Sequence, residues 1–381
     1  MAKLIEITGK ALSGEWGIDD QTGEGIPVLR TTNFTNEGVV DYKNVVTRTI
    51  TKKNIEEKFL RKGDIIIEKS GGSDKFPVGR VIYFEGEDNT YLFNNFTGLL
   101  RVKNQEIWYP RYVFYSLFAN YRRGGTRMFE NKTTGIHNLK LAHYISQYEV
   151  NEIVKEEQIS VCDKLDKLYV IINEMKQQLR LLDDLIKARF VEMFGDSASN
   201  EKGWKMNTFG DICTVRQGLQ IPISKRLTEY EEDSYEYITV QYLHGGKEKE
   251  YIKSPKESVK CTKDDILMTR TGNTGMVVTN VEGVFHNNFF LIDFDRERFE
   301  KDFLVEYLNL DLIQADITRR AGTSTIPDLN HGEFYKIKVF EPPIDLQKEF
   351  DEFKMQVDKS KLMFQKLHQK LNILRQKAGN I

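Results

Sequence analysis

Three polar residues near the carboxyl end of the chain have the types needed for a metal-dependent nuclease site. Asp328 follows Pro327, and Glu352 and Lys354 stand two positions apart further along the chain. Carboxylates that share a catalytic metal must converge on one point. Glu352 and Lys354 flank an apolar helix position, Phe353, and should therefore lie on the exposed side of that helix. We expect no catalytic site and no metal here.

Other catalytic motifs are missing from the sequence. A DNA methyltransferase needs an Asn/Asp-Pro-Pro-aromatic loop, but the double proline of this chain reads Glu341-Pro342-Pro343-Ile344. The sequence contains no G-x-x-x-x-G-K-S/T phosphate loop, which argues against ATP binding. Its histidines show no paired metal spacing, and His331, beside a Thr-rich loop, is expected to be exposed. The sequence therefore predicts a non-catalytic chain without a cofactor.

Two glycine-rich loops are better candidates for contacts with a ligand. The segments KSGGSDK (Lys69 to Lys75) and RTGNTG (Arg270 to Gly275) each follow a stretch of strand composition. Glycine lets backbone amides approach a phosphate closely, and the neighbouring side chains can clamp phosphates or read base edges. An ordinary hairpin turn is the alternative. The candidate contact residues are Lys69, Ser70, Gly71, Gly72, Lys75, Arg80, Arg270, Thr271, Gly272, Asn273 and Thr274.

Paired arginines close two helical stretches and form the densest basic clusters. The first is RRGGTR with the lysine that follows it, and the second is its counterpart about 200 residues later. The formal net charge is −2, so any nucleic-acid surface must be a local patch that acidic faces offset elsewhere. Solvated helix ends are the alternative interpretation. The cluster residues are Arg122, Arg123, Arg127 and Lys132, with Arg319 and Arg320.

The two halves of the chain repeat the same order of segments. A strand–glycine loop–strand plan, an Asn-Asn-Phe segment, a helical stretch (110–123 and 301–318) and a Thr-rich loop occur in each half. Each half then ends in an elbow that leads into a long helix, KVFEPPIDLQKEF in the second half and a fainter copy, ISQYEVNEIVKEEQ, in the first. Gln158 matches Gln347, but the first elbow lacks the double proline. Five pairs in the same order indicate a tandem duplication.

Both elbows lead into helices with heptad patterns. Apolar residues recur at alternating steps of three and four, as in a coiled coil, with Ser360 filling one slot of the second helix. We expect the two helices to pack antiparallel because a globular unit joins them; packing of each helix on its own domain is the alternative. The predicted seam residues are Leu165, Leu168, Ile172, Met175, Leu179, Leu182 and Ile186, with Phe350, Phe353, Val357, Phe364, Leu367, Leu371 and Leu374.

The fold class expected is mixed α and β (α+β), with two similar globular domains and a pseudo-two-fold arrangement. The predicted segments are domain 1 at 1–150, helix 1 at 151–195, domain 2 at 196–343 and helix 2 at 344–381, and residues 203–343 should fold alone. An odd number of cysteines without paired spacing favours reduced thiols in a cytoplasm. No apolar run is long enough to span a membrane.

These segments resemble the specificity subunit of type I restriction–modification systems. The resemblance rests on GDIIIEKSGGSDKFPVGR, DDILMTRTGNTG, FEPPIDLQ, FVEMFGDSASNEKGW and the Thr-rich loops followed by Leu139 and Leu329. It implies two target-recognition domains that each read half of a split double-stranded DNA target, and a coiled coil that sets their separation. It also implies docking of two adenine methyltransferase subunits, which use S-adenosylmethionine, and recruitment of motor–nuclease subunits that use ATP.

Two alternatives stay open at this point. One is the specificity chain of a fused or type II-like restriction–modification enzyme, against which the missing catalytic loops argue. The other is a coiled-coil scaffold with two protein-binding heads, which the near-neutral charge would suit. A steep fall of DNA affinity with salt would distinguish a DNA-binding chain from the scaffold.

Overall fold

The computed structural model describes residues 1–133, 136–243, 245, 248–322 and 327–378, without the side chains of 132–133 and 374–378. The chain divides into two compact units. Unit 1 comprises 1–176 and 366–381, and unit 2 comprises 177–365. Each unit therefore contains a part of both long helices. Within the described ranges, every helix is too short or too polar to serve as a membrane span.

Unit 1 contains short strands and helices of mixed α and β type. The strands are β1 (Ala2–Lys3), β2 (Leu12–Ser13), β3 (Ile18–Asp19), β4 (Ile26–Leu29), β5 (Val46–Thr49), β6 (Ile65–Glu68), β7 (Ser70–Gly72), β8 (Val81–Tyr83), β9 (Leu92–Phe93), β10 (Thr97–Leu100), β11 (Glu130–Thr133), β12 (Ile136–Leu139) and β13 (Glu149–Val150). The helices are α1 (Leu4–Thr8), α2 (Pro110–Arg122), α3 (Leu141–Gln147), the first part of α4 (Lys155–Phe194) and the last part of α10 (Ile344–Ala378). Short 3₁₀ turns lie at Thr31–Asn33, Glu56–Lys58 and Arg127–Phe129.

Unit 2 has the same mixed composition. Its strands are β14 (Lys205–Thr208), β15 (Cys213–Gln217), β16 (Ser234–Ile238), β17 (Tyr251–Lys253), β18 (Lys260–Cys261), β19 (Ile266–Thr269), β20 (Val277–Val278), β21 (Gly283–Phe285), β22 (Phe289–Phe294) and β23 (Lys338–Glu341). Its helices are the last part of α4, α5 (Phe209–Ile212), α6 (Val240–Leu243), α7 (Lys301–Asn309), α8 (Asp311–Ala321), α9 (His331–Tyr335) and most of α10 (Ile344–Ala378). Short 3₁₀ turns lie at Ile223–Lys225 and Glu257–Val259.

Corresponding sheets recur in the two units. The central sheet has the strand order β2–β10–β6–β8 in unit 1 and β15–β22–β19–β20 in unit 2, with antiparallel pairs throughout. A second sheet has the order β3–β5–β4–β9 in unit 1 and β17–β16–β21–β18 in unit 2. Each second sheet contains one parallel pair, β4 with β9 and β16 with β21. A two-stranded sheet also recurs, as β1–β13 in unit 1 and β14–β23 in unit 2. Unit 1 has in addition a three-stranded sheet of order β11–β12–β7.

The helical stretch predicted at 301–318 is two helices in the structure. Leu310 is extended, with φ −61° and ψ 138°, and it separates α7 from α8. The side-chain Nε2 of Gln314 donates to the carbonyl of Leu308 at 2.7 Å and to that of Gly275 at 3.0 Å. These bonds tie the break between the helices to the glycine loop of unit 2.

The second half of α4 and the first half of α10 pack together within unit 2. The Arg189 guanidinium is 3.0 Å from a Glu349 carboxylate oxygen, and Lys361 Nζ is 2.6 Å from an Asp183 carboxylate oxygen. Residue numbers rise on one helix as they fall on the other, so these segments run antiparallel. Phe190 lies with its ring centroid 5.4 Å from that of Phe350.

The seam residues are buried to different degrees. Leu165, Ile172, Met175, Ile186, Phe350 and Val357 are buried, and Leu168, Leu179, Leu182, Phe353, Phe364 and Leu371 are partly buried. Leu367 departs from the prediction because its side chain is 47% exposed, in a stretch where its seam neighbours Phe364 and Leu371 are themselves only partly covered. The side chain of Leu374 lies outside the described residues. Leu165 joins the core of unit 1, whereas Ile186, Phe350 and Val357 join that of unit 2.

Lys354 is buried, contrary to the expected exposed position on its helix. The residue is 8% exposed, and its Nζ lies 3.2 Å from carboxylate oxygens of both Asp302 and Glu306 on α7. The two ion pairs compensate the cost of taking the ammonium group out of water. Lys354 therefore holds α10 against α7 of unit 2. Glu352 is exposed, as expected.

The two elbows have the same hydrogen-bond pattern. Gln158 donates through Nε2 to the carbonyls of Ile107 (3.0 Å) and Ile153 (2.9 Å), and its Oε1 accepts from the Tyr109 amide (2.8 Å). Gln347 makes the corresponding three hydrogen bonds within unit 2. Gln158 is 1% exposed and Gln347 0%, so both amides are buried with their partners. The missing double proline in the first elbow does not change this arrangement.

Candidate nucleic-acid interface

The end of β6 in unit 1 and the end of β19 in unit 2 are built alike. The amide of Lys69 donates to the carbonyl of Phe96 at 2.8 Å, and the carbonyl of Lys69 accepts from Leu139 at 2.8 Å. In unit 2 the amide of Arg270 donates to Asn288 at 2.7 Å, and its carbonyl accepts from Leu329 at 2.9 Å.

These bonds gather a glycine loop, a turn between strands and a leucine segment at one edge of each central sheet. We call this the loop edge. It comprises Lys69–Gly72, Asn94–Phe96 and Leu139 in unit 1, and Arg270–Thr274, His286–Asn288 and Leu329 in unit 2. The sequence predicted the glycine loops as contact sites, and the structure places the turn beside them.

The Asn-Asn-Phe segments do not superpose in the register that the sequence suggested. Thr97 pairs with Glu68, and Phe289 pairs with Thr269, the residues immediately before Lys69 and Arg270. Phe289 therefore corresponds to Thr97, and Asn288 corresponds to Phe96. The sequence match is displaced by one residue because hydrogen-bond register, and not residue identity, sets equivalence along a strand.

A glycine packs tightly against the turn of the loop edge in each unit. A Cβ at Gly14 would lie 2.2 Å from the carbonyl oxygens of Phe93 and Asn94, and one at Gly218 would lie 2.3 Å from those of Phe285 and His286. Only glycine allows the chain to pass there. The segment that begins at each glycine is therefore fixed against the turn of the loop edge.

Arg270 is held by a carboxylate of its own unit. Its Nε and Nη2 donate to the two oxygens of Asp328 at 2.9 and 2.8 Å. This bidentate pair lowers the pKa of Asp328 through the hydrogen bonds from Arg270 and raises the pKa of Arg270. Thr274 supports the same loop, since its hydroxyl donates to the carbonyls of Arg270 (3.1 Å) and Pro327 (3.0 Å). Such a pair fixes the direction of the guanidinium plane.

His331 lies beside this pair and is partly buried, contrary to the expected exposed position. Its Nε2 is buried without a hydrogen-bond partner among the described residues, and its ring packs edge-on against Phe290 with centroids 5.5 Å apart. Burial and the positive charge of Arg270 lower the pKa of His331. His137 is also buried, 2.9 Å from a Glu130 carboxylate oxygen.

Arg80 and Arg320, two of the predicted contact residues, are bound within the protein. The guanidinium of Arg80 donates to the carbonyls of Phe34 (2.9 Å) and Thr31 (2.8 Å). Arg320 lies 2.8 Å from an Asp316 oxygen and 3.3 Å from a Glu333 oxygen. These contacts tie Arg80 to a loop of unit 1 and Arg320 to helix ends of unit 2.

The other predicted contacts are more open. Lys75, Arg122, Arg123 and Arg127 are exposed, although Arg127 also donates to the carbonyls of Asp74 and Lys75 at 3.2 and 3.3 Å. Arg319 is 71% exposed and pairs with Asp316. Within the glycine loops, Gly71, Gly272 and Asn273 are exposed, Gly72 is buried, and Ser70, Thr271 and Thr274 are partly buried. The side chain of Lys132 lies outside the described residues.

Lys69 was predicted from the sequence as a contact residue, but its association with Lys52 and Lys58 in unit 1 was not. Glu15 accepts from Lys52 at 2.6 Å and from Lys58, and its amide donates to the carbonyl of Phe93 at 2.8 Å. Lys69 Nζ lies 3.1 Å from the hydroxyl of Ser13. Burial, and then the charge of Lys58, lower the pKa of Lys69. Lys52 and Lys58 thus share one carboxylate, and Lys69 lies close enough to Lys58 to feel its charge. No local motif marks these lysines because they come from separate segments.

The nuclease-like residues are not assembled. Asp328 binds Arg270, whereas Lys354 binds Asp302 and Glu306. Among the described residues, no group of three or more His, Cys, Asp or Glu side chains is placed to hold a metal ion.

Comparisons with known proteins agree with this fold. Residues 201–373 match the family model of the type I restriction modification DNA specificity domain. The type I restriction–modification S subunit from M. genitalium is 17% identical with a TM-score of 0.60, covering 99% of this chain and 94% of that one. A chain from work on complex assembly and conformational transition of the type I R-M system is 14% identical with a TM-score of 0.59, covering 100% and 96%. A comparison with curated proteins found no match.

Residues 201–373 thus form a type I restriction–modification DNA specificity domain. The whole chain also has the fold of the S-subunit structure from M. genitalium, in agreement with the resemblance seen in the sequence.

Proposed function

We propose that this chain is the DNA-recognition subunit of a type I restriction–modification complex and that each unit reads one half of a bipartite target. The observation that carries the proposal is the repeated loop edge. Lys69 and Arg270 stand at the same point of the same sheet, with the same backbone partners, in two units of one chain. Duplex DNA presents successive grooves to which two similar heads can bind.

The long helices act in this proposal as a coiled coil that sets the distance between the half-sites. The antiparallel contacts Arg189–Glu349 and Asp183–Lys361 support this role, as do the buried seam residues Ile172 and Met175. A linkage of fixed length strengthens binding only when it spans the gap between the two sites.

The chain performs recognition and its partners perform the chemistry. We assign methyl transfer to two docked adenine methyltransferase subunits, and translocation and cleavage to motor–nuclease subunits of the complex. Exposed apolar side chains on the long helices support a docking role. In unit 2, Leu181 and Leu185 on α4 are 50% and 45% exposed, and Leu362 and Met363 on α10 are 51% and 64% exposed. Leu181 and Leu185 share one helix face, four residues apart.

Methylation mapping tests the proposed function directly. Cells that carry this gene with its neighbouring methyltransferase gene should show methyladenine in one split motif, and cells with the methyltransferase gene alone should not. A motif that does not depend on this gene would contradict the proposal.

Salt dependence distinguishes DNA recognition from a protein-binding scaffold. The logarithm of the DNA affinity should fall linearly with the logarithm of the salt concentration, with a slope of about −0.9 for each phosphate contact. A slope near zero would favour the scaffold.

A further inference from the structure

Phe96 is an exposed aromatic side chain at the loop edge of unit 1. It is 53% exposed, although large apolar side chains are usually buried in proteins. Its carbonyl accepts the amide of Lys69 at 2.8 Å, which fixes it beside the glycine loop. The side chain therefore stands on the surface that the proposed function assigns to DNA.

The turn that carries Phe96 is tightly held. The Thr97 hydroxyl and amide both donate to the carbonyl of Asn94, at 2.8 and 3.1 Å. Thr97 and Asn94 are 0% and 4% exposed, and the amide of Asn94 donates to the carbonyl of Leu29 at 2.9 Å. The phenyl ring thus projects from a fixed backbone, so little conformational entropy of the main chain is lost when it binds.

The surroundings of Phe96 favour a polyanion as the ligand. Three lysines lie near the neighbouring segment: Lys52 and Lys58 contact Glu15, and Lys69 contacts the hydroxyl of Ser13. The amide of Glu15 donates to Phe93, three residues before Phe96. An exposed aromatic ring beside clustered lysines matches a base stack beside phosphates.

Unit 2 has a different side chain at the corresponding position. Asn288 occupies the place of Phe96, because its carbonyl accepts the amide of Arg270 at 2.7 Å as that of Phe96 accepts Lys69. An asparagine can form hydrogen bonds with a base edge or a phosphate, whereas a phenyl ring cannot.

We propose that Phe96 is an apolar wedge that enters the base stack of the half-site bound by unit 1. Unit 2 binds its half-site with a polar side chain, Asn288, at the matching position and leaves the stack closed. Apolar wedges between base steps partly unstack them and bend the duplex. This inference rests on the proposed DNA-recognition function. It adds that the two half-sites are recognised by different chemistry, because the half-site of unit 1 is selected in part by how easily its base step unstacks.

The test uses full-length protein in complex with the methyltransferase and duplexes that carry the motif found by methylation mapping. 2-Aminopurine is placed at successive positions of both half-sites, because its fluorescence rises when it is unstacked. The adenines that become methylated are avoided, since base flipping would also raise the signal there. The variants are Phe96→Ala, Phe96→Leu, which keeps an apolar wedge, and Ile107→Ala, a control residue of similar exposure at 51%.

Wild-type protein should raise the fluorescence at one step of one half-site only. Phe96→Ala should abolish this signal and weaken binding by about tenfold or more, because base–aromatic contacts contribute strongly to affinity. Phe96→Leu should retain the signal, and Ile107→Ala should behave as wild type. A signal that survives in Phe96→Ala, or specific binding by the wild type without any unstacked step, would overturn the wedge while leaving the proposed function intact. A wild-type complex that binds no motif would instead overturn the proposed function.

Discussion

Gln158 and Gln347 occupy equivalent positions and bind equivalent backbone groups in the two halves of the chain. Gln347 donates through Nε2 to the carbonyls of Arg298 (3.0 Å) and Pro342 (2.9 Å), and its Oε1 accepts from the Glu300 amide (2.9 Å). In unit 1 the Oε1 of Gln158 accepts from the Tyr109 amide. Tyr109 directly precedes α2, and Glu300 directly precedes α7. Each glutamine therefore joins the start of a long helix, α4 or α10, to the globular part of the same unit.

Replacing either glutamine by leucine should destabilise its own unit by about 1–3 kcal/mol, since a buried amide donor loses its acceptor. The exposed Gln178→Leu on the same helix as Gln158 serves as a control. Hydrogen exchange should show faster opening of α2 and the start of α4 in Gln158→Leu, and of α7 and the start of α10 in Gln347→Leu. Unchanged exchange in both variants would show that the elbow does not depend on these bonds.

Arg270→Ala should weaken binding to the target by about 1–3 kcal/mol if the arginine reads a base edge. Arg298→Ala is a matched control, because Arg298 makes the same bidentate contact with Glu341 through Nε (2.8 Å) and Nη2 (2.7 Å), away from the loop edge. Binding measured over a range of salt concentrations separates the outcomes. A change of about one in the salt slope alone would mean a phosphate contact, and equal losses in both variants would mean an effect on folding.

The double variant Leu181→Ser/Leu185→Ser should weaken capture of the methyltransferase subunit by about 2 kcal/mol or more, if these side chains form part of a docked interface. Both are about half exposed, so the fold of unit 2 should be unaffected. Lys187→Ser on the same helix controls for altered surface polarity. Normal capture by the double variant, measured by titration calorimetry, would exclude this helix face as the docking surface.

A fragment of residues 177–365 should unfold cooperatively, whereas 203–343, which the sequence predicted to fold alone, should not fold. The shorter fragment lacks Phe190, Phe194 and Phe350, which are all 0% exposed. The ring centroids of Phe190 and Phe194 lie 5.5 and 4.9 Å from that of Phe303, and the Phe350 ring packs against both Phe190 and Phe194. Removing a buried phenyl ring costs about 3–5 kcal/mol, against a total stability of about 5–15 kcal/mol. Thermal unfolding of both fragments is the measurement, and a sharp transition for 203–343 would contradict this view of the core.

Local periodicity allowed much of the fold to be predicted. The strand–glycine loop–strand plan and the heptad helices depend on residues close in sequence, and their bounds in the structure, Ile65–Glu68 or Lys155–Phe194, follow the patterns. The one-residue displacement of the Asn-Asn-Phe segment could not be predicted from the sequence, because adjacent asparagines align in either register. Only the strand pairing of Thr97 with Glu68 and of Phe289 with Thr269 determines the register.

The chemistry of individual side chains was harder to predict. Arg270 beside a glycine loop suggested a free cation, but its partner Asp328 lies 58 residues away in the chain. Lys354 looked like a surface residue because heptad position alone does not reveal the carboxylates of α7. Such pairings depend on tertiary contacts and carry no local signal.

The proposed spacing role of the long helices can be tested by inserting one heptad into both. Asp183 faces Lys361, so eleven residues earlier, at Ile172, the facing level on α10 is near Asn372. Seven residues inserted after each of these points preserve the seam. The helices should lengthen by about 10 Å, which corresponds to about three base pairs of duplex at 3.4 Å per pair.

The spacing role is best measured by a binding selection on a DNA library in which the gap between the two half-sites varies over a range of lengths. Wild-type complex should prefer one gap, and the heptad-insertion variant should prefer a gap longer by up to about three base pairs with unchanged half-sites, because the loop edges are untouched. Strong binding by the variant at the original gap would contradict the claim that the helices hold two DNA-reading heads at a set separation.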